Sequence, residues 1–265
     1  MRTTLIILAL LLPFSAFAGL GSGLVGYWPM DSRDFVTSTS IVDRSGQGDN
    51  GTLTNGPTVA IGKVGQALNF DGVNDMVIMG ANANLNNLNL TGGLTASAWI
   101  YPRSLGVNNR GRIFDKANST APTGGWIFNV SNFTATNQLA FQHGGSTVLI
   151  RSTAANTITL NQWQHVAATW DGSVTASNIH IYINGAEAAY NAATDGVGLD
   201  SDSAEVLKIG NDKSFARTFD GIIDEARVYN RVLTPGEIKA IYNQGAGSHN
   251  GSWMGSILRS LFGIF

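Results

Sequence analysis

The chain has 265 residues, 16 Lys and Arg against 18 Asp and Glu, a formal net charge of −2 and no cysteine. No basic run of the kind that grips nucleic acid occurs, and a disulfide framework or a thiolate metal site is excluded outright. Glycine, with 32 residues, stands well above its usual share and predicts a turn-rich chain of short strands.

The N-terminus places one basic residue, Arg2, before an apolar run from Leu5 to Leu12, then Ala16-Phe17-Ala18. That is the pattern of a secretory signal peptide over residues 1–18, with cleavage expected after Ala18. The run is short for a membrane span. The rest of the chain suits one all-β domain. A secreted or extracytoplasmic chain without cysteine, at the cell surface or in a periplasm, reads as bacterial rather than as a disulfide-rich eukaryotic module.

Short alternating runs between turn signals predict strands near 24–30, 66–70, 75–79, 94–101, 111–116, 125–131, 137–142, 147–151, 163–170, 178–183, 186–190, 205–210 and 219–229; β-branched and aromatic residues dominate them. Asn184-Gly185 is the strongest hairpin signal, because a type I′ turn needs positive φ at both central positions. One helix is predicted over 234–245. Thr234 is its N-cap, Pro235 its first residue, Glu237 the partner of a capping box and Gly245 its end. Many short strands and one helix give a sandwich or barrel.

In order over residues 24–243, the segments YWPMD, SGQGDNGTLTNGP, GKVGQALNFDGVNDMV, LTASAWIYP, LNQWQHVAATWDG, IHIYINGAE and FDGIIDEARVYNRVLTPGEIKAIY resemble the laminin-G-like domains of the concanavalin A-like lectin/glucanase superfamily. The resemblance implies an all-β jelly-roll sandwich of two antiparallel sheets with one short C-terminal helix, over residues 19–245. It says little about activity, because this fold hosts lectins, adhesion modules, carbohydrate-binding modules and glycosidases.

The last predicted strand carries an anomaly. Plain alternation puts Asp224 on one face with Ile222, Ala226 and Val228, and Glu225 on the other beside Arg227. A buried carboxylate must be paired, capped by N–H groups or bound to a cation. Glu225 has Arg227; Asp224 has no partner nearby in sequence. Oxygen ligands without a Cys or His pair favour Ca²⁺ over Zn²⁺. The resemblance implies a structural Ca²⁺ tying the acid of the last strand to an acid after the first and to loop carbonyls. Here these would be Asp224, Asp31, and a carbonyl at Gly48 or Asn50. Backbone capping of Asp224 is the alternative.

Retaining glycosidase chemistry needs two carboxyls about 5–5.5 Å apart. The four glutamates, 187, 205, 225 and 237, offer no close spacing on one strand; a glycan hydrolase or lyase built on aspartates from separate loops is the runner-up. No H-E-x-x-H or G-x-S-x-G motif occurs, and His165 reads as a hydrogen-bonded residue at the sheet surface. For sugar stacking, Trp126 is either a platform or core, while Trp163 and Trp170 read as core or rim. The acidic loop with Asp195, Asp200 and Asp202 is either a ligand site or a solvated turn.

The tail, 246–265, carries an apolar stripe from Trp253 to Phe262 if helical. It would contact a partner, a second copy or a membrane surface through residues 252–265. The reading is a non-catalytic binding or adhesion module that takes carbohydrate first or a surface protein second. A structural subunit of a surface assembly is a third possibility.

Overall fold

The computed structural model describes residues 19–88, 92–120 and 122–247. The expected leader at 1–18 and the expected stripe from Trp253 lie outside the described residues. Two large antiparallel sheets pack face to face. The eight-stranded sheet runs, from edge to edge, Ala186–Glu187, Ile179–Ile183, Gln164–Trp170, Leu94–Pro102, Asp220–Tyr229, Gln66–Asp71 and Thr58–Ile61, with Leu24–Trp28 also pairing along Asp220–Tyr229. The ten-stranded sheet runs Tyr190–Thr194, Leu149–Thr153, Gln138–His143, Gly125–Ser131, Arg112–Ala117, Lys208–Ile209, Met76–Met79, Gly51–Thr54, Ser40–Ile41 and Phe35–Thr37. This is the expected jelly roll.

The main core lies between the sheets. Trp28, Phe70, Trp170, Ile223 and Val228 meet Phe114, Trp126, Phe128 and Phe141 there. The predicted hairpin forms at Asn184-Gly185, with φ of 52° and 78°. The helix, α1, spans Pro235–Ala246; Thr234 and Glu237 complete the capping box. Its Ile238 and Ile241 bury against Ala167, Tyr182 and Tyr229 on the outer face of the eight-stranded sheet, so the helix roofs that part of the sheet. Among the described residues no helix is long and apolar enough to cross a membrane.

Three sequence readings need correction. The run 147–151 divides between Gly145–Thr147 and Leu149–Thr153, and 186–190 divides between Ala186–Glu187 and Tyr190–Thr194. His165 is not a hydrogen-bonded surface residue. It is buried between Trp99 and Tyr242, with neither ring nitrogen partnered, and burial lowers its pKa to about 3. The alternation across 220–229 also breaks. Asp224 pairs with Trp99 and Arg227 with Ser97, so two residues of one strand oppose one of the other, and Glu225 takes φ of 53°. This bulge puts Ile223, Ala226 and Val228 in the main core and leaves Asp224 on the outer face.

Candidate functional site

The bulge falls where Asp220–Tyr229 changes neighbours. Gln66–Asp71 pairs with residues 220–223, and Leu24–Trp28 pairs with 226–229. Asp224 sits between these partners. The turn that leads into Gln66 and the segment that leaves Trp28 both close on it. Val64 N–H donates to Asp224 Oδ2 at 2.8 Å, and Gln66 N–H donates to Asp31 Oδ1 at 2.8 Å. Gly62 N–H to Gly65 C=O, 3.0 Å, tightens the turn. A Cβ at Gly62 would lie 2.7 Å from Asp224 Oδ2 and from the Gln66 carbonyl oxygen, so the close approach needs glycine.

Asp224 is fully buried and its Oδ1 has no hydrogen-bond partner. Burial pushes its pKa up to about 8, against the Val64 N–H, while the neighbouring Glu225 raises it further. Glu225 itself is settled: Arg227 Nη2 lies 2.6 Å from its Oε2, and Tyr27 O–H donates to the same oxygen at 2.8 Å.

Asp31 and Asp224 thus hold the same turn, each through a backbone N–H, and Asp31 Oδ2 also lies 3.2 Å from Arg33 Nη2. Gly48 and Asn50 are held elsewhere. Asn50 Oδ1 accepts from Asp43 N–H and its carbonyl from Gly80 N–H, while Gly48 is an exposed turn residue with φ of 85°. None of these bonds reaches the 62–66 turn. The buried carboxylate of that loop is Asp49, between them, which the sequence pattern does not flag. Both its oxygens are buried and without a hydrogen bond. Burial first, then the Asp43 charge, push its pKa up to about 6, and the Asn82 N–H lowers it without reaching hydrogen-bond geometry.

Among the described residues no three His, Cys, Asp or Glu side chains gather around a common point. A cation at the 62–66 turn would have two carboxylates and would draw its other ligands from backbone carbonyls and water. That oxygen-only set suits Ca²⁺, and the orphaned Oδ1 of Asp224 is the atom that fits it.

The sugar-platform reading of Trp126 fails. Its indole is in the main core, 6.2 Å from the Phe114 ring and 6.1 Å from that of Phe141, where no external ligand can stack. Trp170 is also core, and Trp163 is half-buried against Tyr101. The acidic loop disperses. Asp195 accepts from Ala176 N–H, Asp200 is exposed, and Asp202 is buried in an ion pair with Lys116 at 3.2 Å.

The outer face of the ten-stranded sheet is polar; its centre is buried, and it opens only towards the edge formed by Gln142, Ile150 and Thr194. Register places Lys208, Asp115, Ile127, Gln142 and Ile150 in one row across it, and Arg112, Asn129, Ala140 and Ser152 in the next. Opposite them, Phe114, Phe128 and Phe141 face the core. The middle of the first row is buried, and exposure rises through Gln142 and Ile150 to Thr194 at the edge. Arg112 Nε donates to Asp115 Oδ2 at 3.1 Å; Lys208 Nζ is 3.8 Å from Oδ1. Burial pushes Asp115 up to about 6 despite both cations. Asn129, Gln142 and Ser152 add amide and hydroxyl groups. The signal is present in the sequence as polar residues alternating with the aromatic ones, but strand order is needed to assemble it.

A family model for the concanavalin A-like lectin/glucanase superfamily matches residues 71–239. The chain is a laminin-G-like member of that superfamily. No curated protein matches its sequence. Its fold is similar to the binding domain of Paraclostridial Mosquitocidal Protein 1, with TM-score 0.62 and 18% identity over 84% of this chain and 52% of that one. It is likewise similar to the botulinum neurotoxin serotype D binding domain, TM-score 0.61 and 15% identity, over 84% and 52%. Domain 4 of AbnA, an extracellular arabinanase from Geobacillus stearothermophilus, solved with arabinotriose, gives 0.58 and 21% over 83% and 98%. This laminin-G-like chain thus spans about half the length of the toxin binding domains and nearly all of the arabinanase domain. The two toxin neighbours are binding domains, and the arabinanase domain was solved with a bound trisaccharide.

Proposed function

We propose that this chain is an exported, non-catalytic carbohydrate-binding module, with residues 1–18 as its leader and the outer face of the ten-stranded sheet as its ligand surface. The observation that carries the reading is the polar row on the outer face of the ten-stranded sheet, buried at Asp115 and opening to solvent from Gln142 through Ile150 to Thr194. Fixed amide, hydroxyl and charged groups on a rigid sheet suit the hydroxyls of a saccharide. The arabinotriose complex of the arabinanase domain supports the same ligand class on a similar fold. A Ca²⁺ held by Asp31 and Asp224 would brace the sandwich on the opposite side and take no part in binding.

Against catalysis, every glutamate is committed to a local bond. Glu187 accepts from Tyr190 O–H and faces His180, Glu205 pairs with Lys213, Glu225 with Arg227, and Glu237 with Arg231. The test is a panel of immobilised polysaccharides incubated with the purified chain, with reducing ends measured in parallel. Retention without release of reducing ends is expected. Release that disappears on replacing a single aspartate would make the chain a hydrolase.

A further inference from the structure

One end of this outer face collects arginines. Arg112 spends Nε on Asp115 and Nη2 on the Thr120 carbonyl at 3.1 Å, but its Nη1 is buried with no partner. The segment around Arg217 is tied alongside: Arg112 N–H donates to the Arg217 carbonyl at 2.9 Å, and Asn108 Nδ2 to the Ala216 carbonyl at 3.2 Å. Arg217 donates from Nη1 to Ala216 at 3.1 Å, and its Nε is also buried and unpartnered. The Arg110 guanidinium lies 4.1 Å from the centre of the exposed Phe133 ring.

Among the described residues neither Arg110 nor Arg217 forms an ion pair. The acids on either side of Arg217 in the chain are occupied: Asp220 by Arg103 at 2.9 Å and Ser104 O–H at 2.7 Å, and Asp212 by its own turn, accepting from Ala216 N–H at 2.8 Å and from Ser214 O–H at 3.0 Å. Burial, and after it the charge of Arg217, lower the pKa of Arg110. Arg112 is lowered mainly by burial, with Asp115 and Asp212 opposing and Arg217 adding to it. Gathering like charges while leaving buried N–H groups unpaired is costly. An anion entering between them relieves both costs. Two free N–H donors on planar guanidinium groups match the two oxygens of a planar carboxylate.

We propose that Arg110, Arg112 and Arg217 bind the carboxylate of an acidic saccharide, a uronate or sialylated glycan, at one end of the outer face. This rests on the carbohydrate-binding reading and narrows its ligand class. The exposed Phe133 and Phe215 supply apolar surface beside the arginines for a sugar ring.

The test is calorimetric titration of the full chain with oligouronates and sialylated oligosaccharides. Each is paired with the same sugar carboxyl-reduced to the alcohol, and sulfated oligosaccharides form a third arm. The acidic form is expected to bind at least about tenfold more tightly than its reduced counterpart. Arg112→Gln would break a buried ion pair and endanger folding, so the variants are Arg217→Gln and Arg110→Gln, which break none. Both should abolish the preference without lowering the melting temperature. Equal binding of acidic and reduced sugars overturns the inference and leaves the carbohydrate reading standing. Preference for sulfated sugars overturns the carboxylate assignment alone. Absence of binding to every sugar overturns both.

Discussion

Asp224→Asn is expected to flatten the pH dependence of stability between about pH 4 and pH 8 and to abolish any stabilisation by Ca²⁺. The carboxyl titrates near 8 in the folded chain, raised first by burial, and near 4 when unfolded. Over that interval the native state holds a proton that the unfolded state has released. Stability contributed by the neutral carboxyl is therefore full below about pH 4 and is lost as pH rises towards 8. The loss is at most about 5.5 kcal/mol, roughly four pKa units at about 1.36 kcal/mol each, and relaxation of the buried site reduces it. Asparagine keeps an acceptor for the Val64 N–H and never ionises. In chelator at pH 8 it should melt higher than the wild type. Calcium narrows the gap, since it binds the carboxylate and only in the folded state; at about a hundredfold excess over its dissociation constant it adds roughly 2.7 kcal/mol to the wild type alone. Asp49 and Asp115, each near 6, slope the same way, and His165, near 3, the opposite way. The difference between the two proteins isolates Asp224. Parallel melting-temperature profiles for wild type and variant would remove Asp224 from the account. Wild-type melting that ignores both chelator and Ca²⁺ would make the 62–66 turn a backbone cap alone.

Trp126→Ala should cost about 3–5 kcal/mol of folding stability, the usual range for emptying a buried large aromatic site. The indole fills space between Phe114 and Phe141 inside the sandwich, and rigid sheets on both sides limit collapse into the cavity. Urea unfolding measures the loss. Glycan affinity of the molecules that remain folded should be unchanged. Weakened binding at unchanged stability would be the behaviour of an external stacking platform and would reverse the assignment of Trp126 to the core.

The sheet skeleton and the helix are readable in the sequence because their signals are local. Asn184-Gly185 supplies the positive φ a tight hairpin needs, and Thr234-Pro235 with Glu237 spells a helix start. The short strands Phe35–Thr37, Ser40–Ile41, Gly51–Thr54 and Thr58–Ile61 are not readable. They lie towards sheet edges, rich in Ser, Thr and Gly, where one-sided burial is too weak to impose an alternating pattern. The bulge at Glu225 is equally hidden. A left-handed glutamate has no composition cue, and it is imposed by the exchange of neighbours between Gln66–Asp71 and Leu24–Trp28. Asp224 stands out in the sequence for its burial, which is correct, but plain alternation aims it at the wrong face. His165 is misplaced by the same alternation because α1, distant in sequence, roofs that part of the sheet.

The measurement that bears most directly on the binding face is glycan retention by three proteins side by side: wild type, Gln142→Ala and Trp163→Ala. Gln142 belongs to the half-open row on the ten-stranded sheet, and Trp163 packs on Tyr101 in the other sheet. Wild type should retain at least one glycan. Gln142→Ala should weaken that binding by roughly tenfold, the worth of about one good polar contact, at an unchanged melting temperature, while Trp163→Ala should bind as the wild type does. Binding lost in Trp163→Ala and kept in Gln142→Ala, or no glycan retained by the wild type, would contradict the account.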